Sequence, residues 1–457
     1  LNIFKTLPPQ QQRSLTMLFA SGLLFWSSMA SMLPTIPVYV KDVGGSAQDV
    51  GLVMGAFAIG LLASRRQLGR LADRRSRRQV LFIGTVVCAI APLGYLFVQS
   101  IPLLIALRAF HGISIAAFTT AYSALVADLA PPARRGELIG YMSLVTPIGV
   151  AIGPAIGGLL QAQFGYVPLF LLASVLGGLS GLGTFAISEP SSTRLHPAVS
   201  TPDSQAKGGL SRRESAIGGL LVGAIWYTFS HSVWVSAFTI LLGAVVCHFL
   251  RQIFATPTSV MIPSLVMLLT GTIFGILATF MPLFVKETGV AFNPGWFYTA
   301  AAISSFGVRL IAGPASDRLG RGLFVSLALI GYGTAMSMLC TAQVPITFLI
   351  AGFVEGMAAG TLFPITIALM SDRSQPEERG QIFAVCIGGF DLGIAIAGPI
   401  LGALAPQLGY RKLFAIAAIL AGLALVLFAS FNSKNLSHSL RFALGRGRDL
   451  YAIGSEK

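Results

Sequence analysis

The sequence predicts an all-α polytopic membrane protein: two pseudo-symmetric six-helix bundles, with an extra two-helix hairpin in the linker between them. Three observations lead to this class. The 457 residues are 54% hydrophobic and only 11% charged, with a mean hydropathy of +0.77, which leaves too little polar surface for several soluble domains. Apolar runs of about 18–28 residues recur along the chain, each long enough to cross a hydrocarbon layer of about 30 Å as a helix. Finally, a set of polar and glycine landmarks in the first half returns at one fixed offset in the second. Barrel strands are excluded, because their signal is alternation over about ten residues.

In chain order, spans are expected near residues 15–40, 47–67, 79–99, 101–127, 138–160 and 166–188, which make an N-terminal bundle over residues 1–188. The first run is too long for a signal peptide and lacks a cleavage pattern. Residues 189–257 form a linker that opens with the polar, Ser- and Pro-rich stretch EPSSTRLHPAVSTPDSQAKGGLSRRES (189–215). Within it, residues 216–250 are two apolar runs around Ser230, His231 and Ser232, flanked by Arg212 and Arg213 on one side and Arg251 on the other. Basic flanks at both ends suit a hairpin that enters and leaves from the same face; two amphipathic segments lying on the membrane are the alternative. The count is therefore fourteen helices, or twelve on the alternative. The second bundle spans residues 258–431, with runs near 258–285, 294–315, 322–342, 344–371, 381–404 and 411–431, and a basic tail follows over 432–457.

Charge sets the orientation. A net charge of +14 could point to nucleic acid, but positive charge also accumulates in cytoplasmic loops and fixes topology. With the N-terminus inside, inner loops and tails hold 25 of the 31 Lys and Arg; the outer loops hold four, Lys41, Lys286, Arg411 and Lys412. Both termini are therefore placed in the cytoplasm of a cell-membrane protein, and nucleic acid is set aside. Cys88, Cys247, Cys340 and Cys386 all lie in apolar runs without paired spacing, so neither a disulfide nor a metal site is proposed. No cofactor motif is found. An ATP-driven pump is unsupported, since the chain contains no GxxxxGK[ST] loop.

The repeat is specific. Gly69, Asp73 and Arg74 return 244 residues later as Gly313, Asp317 and Arg318. At the same offset Gly112, Asp128, Arg135 and Gly136 become Gly356, Asp372, Arg379 and Gly380, and Gly165, Tyr166 and Phe170 become Gly409, Tyr410 and Phe414. An even number of spans separates equivalents, so the halves are parallel repeats about an axis along the membrane normal. The excess length falls in 189–257, which marks the hairpin as an insertion.

Four motifs carry a resemblance. GRLADRRSRR begins at Gly69 and GPASDRLGR at Gly313; RAFHG covers 108–112 and GVAIGPAIGG covers 149–158. Together they resemble the major facilitator superfamily, in particular its drug and metabolite exporters, over residues 15–188 and 258–431. Ser76 stands where the first loop signature usually has glycine, and Arg66 where proline is common. The resemblance implies the two-bundle fold, transport instead of enzymatic activity, and a cytoplasmic gate that includes Gly69, Asp73, Arg74, Asp128, Gly313, Asp317, Arg318 and Asp372. Physically, a carboxylate beside a helix N-terminus is stabilised by about 0.3–1 kcal/mol, so Asp73 against the start of span 11 and Asp317 against span 5 would latch the inner side shut. The plain alternative is that the arginine-rich loops only orient the chain. In GVAIGPAIGG, Gly149, Gly153 and Gly157 recur every fourth residue and make one smooth helix face, with Pro154 adding a bend and Gly158 beside it. The resemblance makes this an antiporter motif; ordinary helix packing is the alternative.

Ionisable groups at membrane depth are costly unless paired or hydrated. Arg65 and Arg309 can snorkel to the inner surface. Arg108 lies about seven residues below the outer end of span 4 and shares a helical face with Ile115, Thr119 and Tyr122. The resemblance ties an arginine in this motif to proton coupling; a structural pair is the alternative. Glu355 lies near the middle of span 10 and Asp391 near the middle of span 11. Either can take and release a proton, because a carboxylate is expensive in low dielectric, or can be held by a buried partner. The repeat makes His111 the counterpart of Glu355, and spans 4 and 10 line the central cavity in the resembled fold. Span 1 offers Ser21, Phe25, Ser28, Met32 and Thr35 on one face, without an acid, which with Thr119 and Tyr122 gives an amphipathic lining.

These readings converge on a monomeric secondary transporter that exports a small amphipathic drug, sugar or metabolite in exchange for protons. An importer or uniporter on the same scaffold is one alternative. A non-transporting assembly protein that docks partners through 216–250 is the other.

Overall fold

The computed structural model describes residues 7–131, 135–188, 233–375 and 378–453. Among them there are helices and no strands. The first span runs over Pro9–Asp42 and is split into α1 (Pro9–Ser31) and α2 (Ile36–Asp42). The break falls at Pro34, whose ring removes a backbone donor and ends the regular ladder. Next come α3 (Ala47–Arg74), α4 (Arg77–Phe97) and α5 (Ile101–Leu129). The fifth span is α6 (Arg135–Ser143) followed by α7 (Val145–Phe164), and the sixth is α8 (Tyr166–Phe185).

Beyond the linker lies α9 (Val233–Phe254), the second limb of the expected hairpin; the first limb lies outside the described residues. Then follow α10 (Thr258–Thr288), α11 (Pro294–Leu319), α12 (Arg321–Thr341), α13 (Pro345–Asp372), α14 (Arg379–Leu408) and α15 (Tyr410–Phe431). A short helix, α16 (Leu436–Ala443), closes the order. Eleven spans among the described residues are long and apolar enough to cross a membrane. The twelfth expected span, α11, matches them in length at 26 residues but carries Arg309, Asp317 and Arg318 among several serines.

The chain divides into two compact units, Leu1–Tyr39 with Ala56–Gly208, and Val40–Gly55 with Gly209–Lys457. In the first, α1 packs on α7 and α8, while α4 packs on α5 and α8. In the second, α10 packs on α14 and α15, while α12 packs on α13 and α15, and α9 lies against α14. Shifted by the repeat, the first set of contacts becomes the second. Both units also use one glycine alike: Gly165 (φ 81°) and Gly409 (φ 76°) take positive φ, where a side chain would be strained. Each ends one span and lets the next begin at Tyr166 or Tyr410.

Small residues set how closely these helices approach. Apolar lipid gives no hydrophobic reason for helices to associate, so backbone packing has to do it. Within the second unit, a Cβ on Gly51 would overlap the Gly398 carbonyl, and one on Gly55 would lie 2.7 Å from the Ala395 oxygen. The same unit holds the ion pair of Lys286 with Asp42 at 2.8 Å.

Candidate functional site

In the first unit, Arg108 and His111 sit on successive turns of α5 and are buried, His111 completely. Arg108 Nη1 lies 3.4 Å from His111 Nδ1, and Tyr95 Oη lies 3.3 Å from the same nitrogen. A guanidinium can only donate, so Nδ1 accepts and the ring proton resides on Nε2. Arg108 also stands 4.4 Å over the ring of Phe57, which meets His111 edge-on at 5.8 Å. Tyr95 is fixed in turn, its carbonyl accepting from Tyr39 Oη at 2.8 Å. Among the described residues Arg108 Nε and His111 Nε2 are buried without a hydrogen-bond partner. The cluster therefore holds one charge, stabilised by an aromatic face, and two spare donors. Tyr95 and Phe57 come from neighbouring helices, and no sequence period connects them to Arg108.

In the second unit, Glu355 on α13 is 6% exposed. Among the described residues its carboxylate forms no hydrogen bond or ion pair. Tyr298 and Tyr332 lie within electrostatic reach of it, and Tyr298 Oη donates to the Leu277 carbonyl at 3.3 Å. Tyr332 also feels Arg309, so this arginine belongs to the surroundings of the cluster as well as to the helix end. Asp391 on α14 is 7% exposed. It lies between Gly389 and Gly393, which pack on α10 against Ser264 and Leu268.

One device positions both clusters. Gly112 follows His111, and a Cβ there would overlap the Phe57 carbonyl; Gly356 follows Glu355, and a Cβ there would overlap the Ala301 carbonyl. Phe57 and Ala301 are themselves related by the repeat offset. In each unit the titratable residue thus sits next to the glycine that brings its helix against a neighbour.

Thr119 and Tyr122 line a groove of the first unit with Trp26, Phe118, Ser123 and Met142. Tyr122 Oη donates to the Met142 carbonyl at 2.9 Å. The expected lining of span 1 is placed differently. Ser21 donates to the Ser180 carbonyl at 2.9 Å and Ser28 to the Ala173 carbonyl at 2.6 Å, so both hydroxyls are consumed on α8. Phe25 stacks on Phe118 at 3.8 Å, and Thr35 donates to the Met32 carbonyl at 3.0 Å. Their common face packs against the bundle because its small hydroxyls fit the small residues of α8; Trp26, on an adjacent face, is the span 1 residue that reaches the groove.

The loop signatures are also redistributed. Asp128 pairs with Arg77, and Asp372 pairs with Arg321 at 2.9 Å, which also reaches Asp317 at 3.4 Å. Asp128 and Asp372 are therefore each paired with an arginine of their own unit. Arg77 and Arg321 are the partners overlooked in the sequence, although the repeat offset relates them. Asp73, Arg74 and Arg318 are exposed, and beyond the backbone of its own helix nothing lies within 4 Å of a Cβ built on Gly69 or Gly313.

Ser76 and Gly320 occupy equivalent positions. Ser76 is extended (φ −161°) and its hydroxyl accepts from Gln79 N, capping α4. Gly320 has φ 95° and joins α11 to α12. Serine can thus replace glycine in the first loop because the backbone there needs no positive φ.

In the GVAIGPAIGG segment, Gly149, Gly153 and Gly157 all face the first span. Their built Cβ atoms would meet Trp26, Ser27 and Ser31 respectively. Pro154 lies inside α7, and it and Gly158 are buried.

Comparison with known proteins agrees with this architecture. A solved structure, described as a POT family transporter in complex with a thioalcohol-conjugated peptide, superposes with a TM-score of 0.71 at 15% identity, covering 93% of this chain and 97% of its own. The multi-drug resistance efflux pump PmrA homolog of Lactococcus lactis is 27% identical over 84% of this chain and 86% of its own. The quinolone resistance protein NorA of Staphylococcus aureus is 27% identical over a shorter stretch, 37% of this chain and 43% of its own. The family model of the Major Facilitator Superfamily matches residues 18–279 and 263–441. With two units of like packing, membrane-length helices and this match over nearly the whole sequence, the chain is an integral membrane transporter of the Major Facilitator Superfamily.

Proposed function

We propose that the protein is a secondary active exporter that moves a small amphipathic molecule outward in exchange for protons by alternating access, working as a monomer. The observation that carries this reading is the buried Glu355, with two tyrosines around it and no hydrogen bond or ion pair among the described residues. A carboxyl in that setting gains or loses a proton without having to break an ion pair. The efflux pumps among its relatives support outward transport of drug-like molecules. The groove of Trp26, Phe118, Thr119 and Tyr122 is the first-unit face for an amphipathic substrate.

In this scheme Glu355 and Asp391 exchange protons with the outer medium, and Arg108 with His111 supplies fixed positive charge and spare donors. Each proton moved inward across a potential of 100 mV supplies about 2.3 kcal/mol. The exposed Asp73 and Asp317 act as the cytoplasmic latch, each carboxylate meeting a helix N-terminus in the inward-closed state, and both termini lie in the cytoplasm.

The test uses purified protein in proteoliposomes with an imposed pH gradient and a fluorescent amphipathic dye. Dye should accumulate against its gradient in wild type, with matching proton movement. Glu355→Gln should lose accumulation but retain downhill dye equilibration. If Glu355→Gln and Asp391→Asn both leave accumulation and its pH dependence intact, proton coupling through these acids is wrong. Accumulation in the opposite direction would make the protein an importer.

A further inference from the structure

The C-terminal segment has chemistry that transport does not use. Helix α15 is a membrane span ending at Phe431, and α16 begins five residues later at Leu436. So short a connection holds α16 at the level where the bilayer meets water. Its backbone begins under a cap, Asn435 Oδ1 accepting from His438 N at 2.9 Å.

The helix is held in one rotational setting. Phe442 and Ala443 are buried, and a Cβ on Gly322, at the start of α12, would overlap the Phe442 carbonyl. Further on, Asp449 binds the guanidinium of Arg373 through both oxygens, at 2.7 and 3.0 Å. Arg373 also donates to the Ser259 carbonyl and to Asn432. Ile453 N donates to the Asp372 carbonyl at 2.8 Å. The tail is thus pinned to the end of the bundle where α11 joins α12 and α13 ends.

With α16 fixed, its faces can be assigned. At 3.6 residues per turn, Ser439, Phe442 and Ala443 share the face packed on the bundle. Leu436, Leu440 and Leu444 form the adjoining stripe, centred about 100° away, and are 58%, 43% and 58% exposed. Ser437, His438 and Arg441 occupy the remaining face. Lys434, Arg441, Arg446 and Arg448 are all exposed, whereas Asp449 is occupied by Arg373. Three leucines open to solvent beside the end of a membrane span, with four cations around them, are complementary to the surface of an anionic leaflet: acyl chains for the leucines, phosphates for the cations.

We infer that residues 434–453 form an anionic-phospholipid binding element, α16 lying in the interface with Leu436, Leu440 and Leu444 in the acyl region and the basic residues on headgroups. Its grip on Arg373 and Gly322 ties this contact to the loops that carry Asp317, Arg321 and Asp372. The inference does not depend on proton coupling or on the direction of transport.

The test places a nitroxide at Leu440→Cys or Ser437→Cys in the full-length protein, with the parent's labelling at Cys247 and Cys340 subtracted. The protein is reconstituted in phosphatidylcholine alone or with phosphatidylglycerol. In the mixed bilayer the label at 440 should collide readily with oxygen and several-fold less with a water-soluble nickel chelate, and the label at 437 should do the reverse. Phosphatidylglycerol should deepen the 440 label. High salt, or Arg441→Gln with Arg446→Gln and Arg448→Gln, should abolish that deepening. A label at Leu444→Cys provides a second reading should the 440 variant not fold. Equal nickel access at 437 and 440 would overturn the inference, as would a depth indifferent to lipid charge. A 440 label shielded from both reagents would show the stripe covered by protein and would overturn it too.

Discussion

At the scale of single residues, the two loop signatures show how one position can be built in two ways. Ser76 closes the first loop with an extended backbone and a side-chain cap on Gln79 N, whereas Gly320 does so with φ 95°. Exchanging the residues should therefore be asymmetric. Ser76→Ala removes the cap and should cost about 0.5–2 kcal/mol, but Ser76→Gly only a few tenths. Gly320→Ser forces a side chain into a left-handed backbone and should cost about 1–3 kcal/mol. Thermal unfolding of the purified protein in one detergent compares all three directly. A larger loss is expected at Asp449. Arg373 has a fully buried side chain, and removing one partner of a buried pair costs about 3–5 kcal/mol because the other charge stays uncompensated. Asp449→Ala should lower the melting temperature more than Asp42→Ala, since Lys286 and Asp42 are solvent-exposed and such pairs contribute about 0–1 kcal/mol.

Helix contacts depend on where glycine permits backbone to touch backbone. The face of Gly149, Gly153 and Gly157 was visible from its fourfold spacing, and it does seat against the first span. In the second unit the equivalent pair, α10 with α14, uses glycines on both helices: Gly271 and Gly275 on α10 admit Phe390 and Ala397 of α14, while Gly389 and Gly393 on α14 admit Ser264 and Leu268 of α10. Position 157 leaves no room, a Cβ there overlapping the Ser31 carbonyl, whereas Gly178 on α8 has open space around it. Gly157→Val should cost about 1–3 kcal/mol through overpacking, and Gly178→Val much less, as melting curves of the two variants in the same bilayer mimetic can report. What spacing could not reveal was the neighbour each face meets. Ser21 and Ser28 formed a plausible polar stripe, but the partner that consumes their hydroxyls comes from α8, about 150 residues away in sequence, beyond the reach of any helical period. The break at Pro34 is marked in the sequence by its proline, but hydropathy alone reads one span there because the apolar run on either side is continuous.

For the whole molecule, hydropathy and the 244-residue repeat were enough to give the helices and the duplicated bundle, since both signals are written along the chain. The charge clusters were legible only in part. Glu355, His111 and Arg108 stand out as ionisable residues in apolar runs, but Tyr95, Phe57, Tyr298 and Tyr332 are ordinary aromatics until the fold gathers them. Arg77 was hidden among seven arginines over residues 65–78; only its recurrence as Arg321 distinguishes it. The same arginines make the strongest global prediction, because 25 of 31 cations fall on one side of the alternating spans and four on the other. If that bias orients the chain, loops carrying Asp73, Asp317 and the tail after Phe431 share the cytoplasmic side, and the turns at Lys41 and Lys286 face out. A membrane-impermeant maleimide applied to intact cells should then label Glu287→Cys and leave Ser437→Cys unmodified until the cells are opened. Removing the positive charge of Arg70, Arg74, Arg75 and Arg78 together should weaken this asymmetry more than removing Lys286, Arg411 and Lys412, since only the former group opposes translocation of its loop. Labelling of Ser437→Cys in intact cells would place the tail outside, and with it the proposed latch of Asp73 and Asp317 would be on the wrong side of the membrane to close the cytoplasmic face.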